Sequence, residues 1–195
     1  MGGGILHKGD FIEMEKSLIQ SYVDYRLDKE KKMSEVKVAK LDSVYRRLEM
    51  ILGRYPNHSP NNCLTAIEDA PYYSLENFDS IIKSLNYKLE HYKSMYGDDA
   101  PSSIKEQISN IEDAIEKMSD ISEQYFAAKK QYQEFNASED KAIFDIYASK
   151  QVKESLAEFE ITIENTFVSC NPVEDGLIDS TRNKVLDSIR NDMGI

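Results

Sequence analysis

LENFDSIIKSLNYKLEHYKSMY, residues 75–96, decides the fold of this chain. Leu75, Phe78, Ile82, Leu85, Leu89, Tyr92 and Tyr96 recur at spacings of three and four. On a helix turning every 3.6 residues, that rhythm draws one narrow apolar seam along a single face. Ser74 stands where an N-terminal cap is wanted, and Gly97 where a left-handed C-terminal cap is cheapest. The stretch is expected to form one helix of about 33 Å at 1.5 Å per residue, and it needs partner helices to cover its seam.

Upstream, Asp10 and Glu13 have the spacing of a capping box. Phe11, Met14, Leu18, Tyr22 and Tyr25 follow as a first stripe, which fails across the charged run Arg26 to Lys32. The stripe resumes as Leu41, Val44, Leu48, Ile51 and Tyr55. With no Gly or Pro between Asp10 and Gly53, the simplest expectation is one helix over 10–53, about 60 Å long, with a solvated waist at Lys29–Lys32. A bend or break at that waist is the alternative. Residues 1–9, MGGGILHKGD less its last residue, form an expected flexible N-terminal arm.

Pro56 to Asn62 is the longest break. Ser59-Pro60 has the preferences of an N-cap and first helical position, so 61–68 is expected to be a short helix. Beyond the turn at 98–101, with Ser102 or Ser103 as the cap, a long helix carries Ile104, Ile108, Ile111, Ile115, Met118, Ile121, Tyr125, Ala128, Tyr132 and Phe135. Between Ile115 and Ile121 two successive steps of three make a stammer, which moves the seam to a neighbouring face. A helix that passes from one partner to another does this. Phe144, Tyr147, Val152, Leu156, Phe159, Ile163 and Phe167 extend the pattern towards Asn171-Pro172. Residues 159–168 also fit an alternating strand, though helix is the preferred reading. A turn over 172–176 and a final short amphipathic helix with Ile178, Val185, Leu186 and Ile189 close the chain. The expected fold is therefore all-α: an elongated bundle of three to four long helices with coiled-coil-like packing, plus one or two short helices. Residues 10–195 would be a single helical domain, with the helical body over 60–195.

Charge is lopsided. Through Arg54 there are 11 basic against 9 acidic residues, and after it 13 against 26. A surface so acidic repels phosphate backbones and disfavours direct nucleic-acid binding. No apolar run approaches a membrane span, and the first ten residues lack the apolar core of a secretory signal. Cys63 and Cys170 have no CxxC companion and are expected as buried thiols of a cytoplasmic protein.

Chemistry finds little foothold. Of three histidines, only His91 lies on a predicted long helix, and the residue three before it is Lys88, so the Glu-x-x-His pair of a di-iron bundle is missing. There is no HExxH, no EF-hand loop and no GKS or GKT phosphate cradle. Cys63 follows His58 by five residues, but no third group orients them, and a structural cysteine is the expectation. No catalytic, cofactor or metal site is expected. The leading expectation is a non-enzymatic structural or assembly protein, a cytoplasmic helical subunit or adaptor in a larger complex, possibilities that include a bacterial or viral particle. Its partners would be copies of itself or other subunits. Tyr22, Tyr25, Lys29, Lys31, Lys32, Tyr72 and Tyr73 are the candidate interface residues, and residues 1–9 with the first helix the expected docking region. The alternative is an acidic monomeric module that fills the basic groove of a nucleic-acid-handling protein.

Overall fold

A computed structural model describes residues 8–169, 174 and 176–195, with backbone alone for 8–12 and 98. The described chain is all helix and loop: α1 (Lys8–Leu52), α2 (Pro60–Leu64), α3 (Phe78–Tyr96), α4 (Ser102–Asn136), α5 (Glu139–Tyr147), α6 (Lys150–Phe167) and α7 (Leu177–Met193). Helix α1 runs unbroken for 45 residues through the charged waist. It starts at Lys8, not Asp10; residues 1–7 of the expected arm, and most of the expected turn over 172–176, lie outside the described residues.

The resumed stripe of α1 is core: Leu41, Val44, Leu48, Ile51 and Tyr55 are all buried, joined by Tyr45 and Leu52. They pack with Ile121, Tyr125, Ala128 and Phe135 of α4, Phe144 of α5, the apolar face of α6, and Ile178, Val185 and Ile189 of α7. A second core joins Leu64, Ile67 and Tyr73 to Ile81 and Leu85 of α3 and to Ile111, Ala114 and Met118 of α4. The boundary between the cores on α4 falls between Met118 and Ile121, at the stammer in the sequence. One helix thus serves two sets of partners, α2 and α3 along its first half and α1 and α5 along its second.

Four expectations need correction. The central helix proper begins at Phe78, after a 3-10 turn over Leu75–Asn77. Its buried positions are Ile81 and Leu85, while Tyr96, the last residue of the helix before the Gly97 turn, is exposed. Ser102 and Ser103 lie inside α4, whose cap position is Pro101. The short helix spans only Pro60–Leu64, with the Ser59 hydroxyl accepting from the Asn61 N–H at 3.3 Å. The stretch after Ser138 is two helices: Ala148 is extended and Ser149 restarts the helix, accepting from the Val152 N–H. The apolar spacing marks that break, since Tyr147 to Val152 is a step of five. Residues 159–167 are helical, and α7 is 17 residues long.

Helix α7 fastens α1 at two points. At the C-terminal end of α1, the buried Arg182 guanidinium donates to the Leu52 carbonyl (3.0 Å), the Tyr55 carbonyl (2.7 Å), Asn57 Oδ1 (2.7 Å) and Asp179 Oδ1 (2.6 Å). It reinforces the carbonyls at the helix end, where Leu52 otherwise accepts only a 3.3 Å bond from the Tyr55 N–H, and its charge suits the negative end of the helix dipole. Ten residues on, the Asp192 carboxylate accepts from Lys37 Nζ, the Tyr45 hydroxyl and the Ser149 backbone N–H. Desolvation alone would raise the Asp192 pKa, but the bonds from Lys37, Tyr45 and Ser149 outweigh it and hold the carboxyl below its usual range.

Removing the Arg182 side chain takes a charged donor from the Leu52 and Tyr55 carbonyls and from Asn57 and Asp179, and leaves a cavity where a buried guanidinium stood. Arg182→Ala is therefore expected to cost about 3 kcal/mol in urea unfolding, and a loss under 1 kcal/mol would deny the clamp its weight. Because the folded pKa of Asp192 is depressed, its contribution is full above the ordinary carboxylate range and fades as pH falls through it. Asp192→Asn should cost about 2 kcal/mol at pH 7, with the two stability curves converging towards pH 3. Curves that stay parallel across that window would contradict a stabilising carboxylate.

Candidate functional site

From Glu13 to Val36 every residue of α1 is exposed. Twenty-four residues at 1.5 Å each make a free rod of about 36 Å. It leaves the bundle at the Asp192 fastening, beside the end of α5, and no described residue covers it. Met14, Leu18, Ile19, Tyr22, Val23, Tyr25, Leu27, Met33 and Val36 are each between 41% and 64% exposed. Those nine are nearly half of the nineteen large apolar side chains exposed in the described structure. Scattered surface apolar residues are ordinary, but a run of this density on one helix marks a contact surface.

The rod holds itself together weakly. Its side-chain links are Gln20 to Asp24, Arg26 to Tyr22 and to Glu30, and Lys32 to Asp28, all exposed and four residues apart. Such pairs contribute about 0.2–0.5 kcal/mol each, and helices without a packed face are marginal in water. At the foot of the rod, Tyr25, Asp28, Lys29, Lys32, Met33 and Val36 face Tyr147 of α5 across a groove of about 500 Å³. The sequence candidates Tyr22, Tyr25, Lys29, Lys31 and Lys32 thus all sit on the free rod, and three of them line the groove.

Tyr72 and Tyr73 part company. Tyr72 is 93% exposed, whereas Tyr73 is 2% exposed, with its ring edge-on to Phe78 and its N–H donating to Asn61 Oδ1. Neighbours on extended backbone point opposite ways, and the gap between α2 and α3 takes the second ring. Tyr73 is a core residue, so its placement on the surface is corrected.

Two further concave places lie on the body. A cleft of about 200 Å³ between α1, α4 and α6 is lined by Tyr55, Tyr125, Tyr132, Lys129 and Glu160 among others. Tyr132 donates to Glu160, Lys129 donates to Tyr125, and Tyr125 stacks on Phe167 at 4.8 Å. Burial pushes the Tyr55 and Tyr132 phenols well above their usual value, with Glu160 adding to the effect, so both stay neutral at pH 7. Among the described residues no buried side-chain nitrogen or oxygen lacks a hydrogen-bond partner, and the cleft reads as a satisfied seam between helices.

His58 and Cys63 share a shallow groove with Lys117 and Asp120. Burial raises the Cys63 thiol although Lys117 opposes it, which is the wrong direction for a nucleophile. Cys63 is a free, half-buried thiol, and Cys170 lies outside the described residues. No cluster of His, Cys, Asp and Glu among the described residues could hold a metal ion, and none of their helices is long and apolar enough to cross a membrane.

Comparison with protein-family models, characterised proteins and solved structures finds no match, so the geometry of the rod carries the functional reading unaided.

The exposed rod contributes no buried contact to the bundle. Leu18→Asp with Tyr22→Asp should therefore leave the midpoint of chemical unfolding of the body within about 0.5 kcal/mol of the parent. A loss of 2 kcal/mol or more would mean that the rod folds back on the body in solution.

Proposed function

We propose that this protein is a non-enzymatic structural or assembly protein, a helical subunit or adaptor that joins a larger complex through the free half of α1. The observation that carries this reading is the continuous exposure of residues 13–36 together with their nine large apolar side chains. A helix with that much apolar surface gains stability by laying it against another helix, and amphipathic helices dock in this way by anchors at spacings of three and four. The body gives the rod a fixed origin. Lys37, next to the end of the continuously exposed run, and Tyr45, about two turns further on, are tied to Asp192.

A subunit with this role needs no catalytic centre, and the satisfied polar groups of the bundle fit that need. The reading applies equally to a cytoplasmic complex and to a bacterial or viral particle.

The test compares apparent masses in native extract. The parent chain is expected to migrate well above monomer mass, and the Leu18→Asp, Tyr22→Asp variant at monomer mass. A parent chain that runs as a monomer in its own extract would overturn the proposal.

A further inference from the structure

We infer that the occupant of the rod is a second copy of this chain, lying antiparallel and centred between Tyr22 and Tyr25. The inference rests on the proposed assembly role of the rod and names its partner. Its first support is the spacing of the exposed stripe. Met14, Leu18, Tyr22, Tyr25, Lys29 and Met33 follow one another at steps of 4, 4, 3, 4 and 4, which read the same from either end. Turned end for end, a second rod sets Tyr22 against Tyr25, Leu18 against the aliphatic stem of Lys29, and Met14 against Met33. The eleven-residue period from Met14 to Tyr25, repeated from Tyr25 to Val36, stays close to the natural turn of a helix. Two nearly straight rods can then keep contact along their full length.

Charge selects the direction. Residues 13–24 carry Glu13, Glu15 and Asp24 against Lys16, a net of −2, whereas 25–36 carry Arg26, Lys29, Lys31 and Lys32 against Asp28, Glu30 and Glu35, a net of +1. Antiparallel pairing brings the acidic end of each rod to the basic end of the other. Parallel pairing would stack Lys29, Lys31 and Lys32 on their own copies, and like charges in register repel. The same register brings Met14 to Leu18 of the second copy, with Glu15, to the level of the groove where Lys29, Lys32, Met33 and Tyr147 stand. Each rod spans the distance it has to cover, so the two bodies sit at opposite ends and do not compete for space.

The purified full chain is expected to scatter light with twice the 22.4 kDa monomer mass at tens of micromolar, and Tyr22→Asp with Tyr25→Asp to return it to monomer mass. In a Cys63→Ser, Cys170→Ser background, a Met14→Cys chain mixed with a Met33→Cys chain should form mixed disulfide dimers under mild oxidation. Neither chain alone should do so. If that background fails to fold, small-angle X-ray scattering of the unaltered chain decides the matter. Two bodies held apart by paired rods give a second maximum in the distance distribution beyond about 36 Å, and a single compact maximum overturns the inference. So do a monomeric parent, a dimer indifferent to Tyr22 and Tyr25, or disulfides formed by each cysteine chain alone, which report parallel pairing. A purified monomer that is nevertheless large in extract sinks self-pairing and leaves the assembly role standing. A monomer in both sinks the two together.

Discussion

The constraint on which the rest of this structure depends is the buried guanidinium of Arg182. At the end of a 45-residue helix, Arg182 adds a charged donor to the Leu52 carbonyl, which otherwise has only a 3.3 Å bond from the Tyr55 N–H, and donates to the Tyr55 carbonyl beyond it. Arg182 meets two carbonyls, an amide oxygen and a carboxylate in one plane, as its forked geometry allows and a lysine's would not. With that end pinned and Asp192 binding Lys37 and Tyr45 further along, α7 runs antiparallel to the packed half of α1 and fixes its direction. The groove beside Tyr147 follows from this arrangement, because Asp192 also accepts from the Ser149 N–H at the junction of α5 and α6.

The division of labour along α1 is sharp. Its C-terminal part carries apolar residues on a face wide enough for α4, α5 and α7 together, and they are buried. Its N-terminal part carries a comparable density of apolar residues, which stay exposed with only Tyr147 near its foot among the described residues. One helix therefore holds both the organising strut of the bundle and its largest uncovered surface, and no loop lies between the two.

Much of this was legible in the residues. The three-and-four spacing gave all-α architecture, the absence of Gly and Pro gave the unbroken first helix, and the stammer after Ile115 gave the change of partners along α4. The step of five after Tyr147 also carried a break, though the pattern around it reads as continuous. Arg182 and Asp192 were not legible, because their partners on and just after α1 lie more than a hundred residues away and an arginine or aspartate in a polar helix has no local mark. Nor was the opposite fate of Tyr72 and Tyr73, which depends on the gap that α2 leaves beside α3. Of the candidate interface residues, Tyr22, Tyr25, Lys29, Lys31 and Lys32 are exposed, and a stripe interrupted by charge is what a helix segment without an internal partner looks like.

The two cores along α4 imply that stability is not shared evenly. The layer made by α2 and α3 touches the rest chiefly through Ile111, Ala114 and Met118, and α3 itself buries only Ile81 and Leu85 completely. It can lift away as a unit while Phe135, Phe144, Phe159 and Phe167 keep the other core closed. Amide protons of α3 then exchange through a local opening, ahead of those in α6 and the packed half of α1, which wait for the whole molecule to unfold. The stammer that lets α4 change partners is, in energetic terms, a seam between two cooperative units.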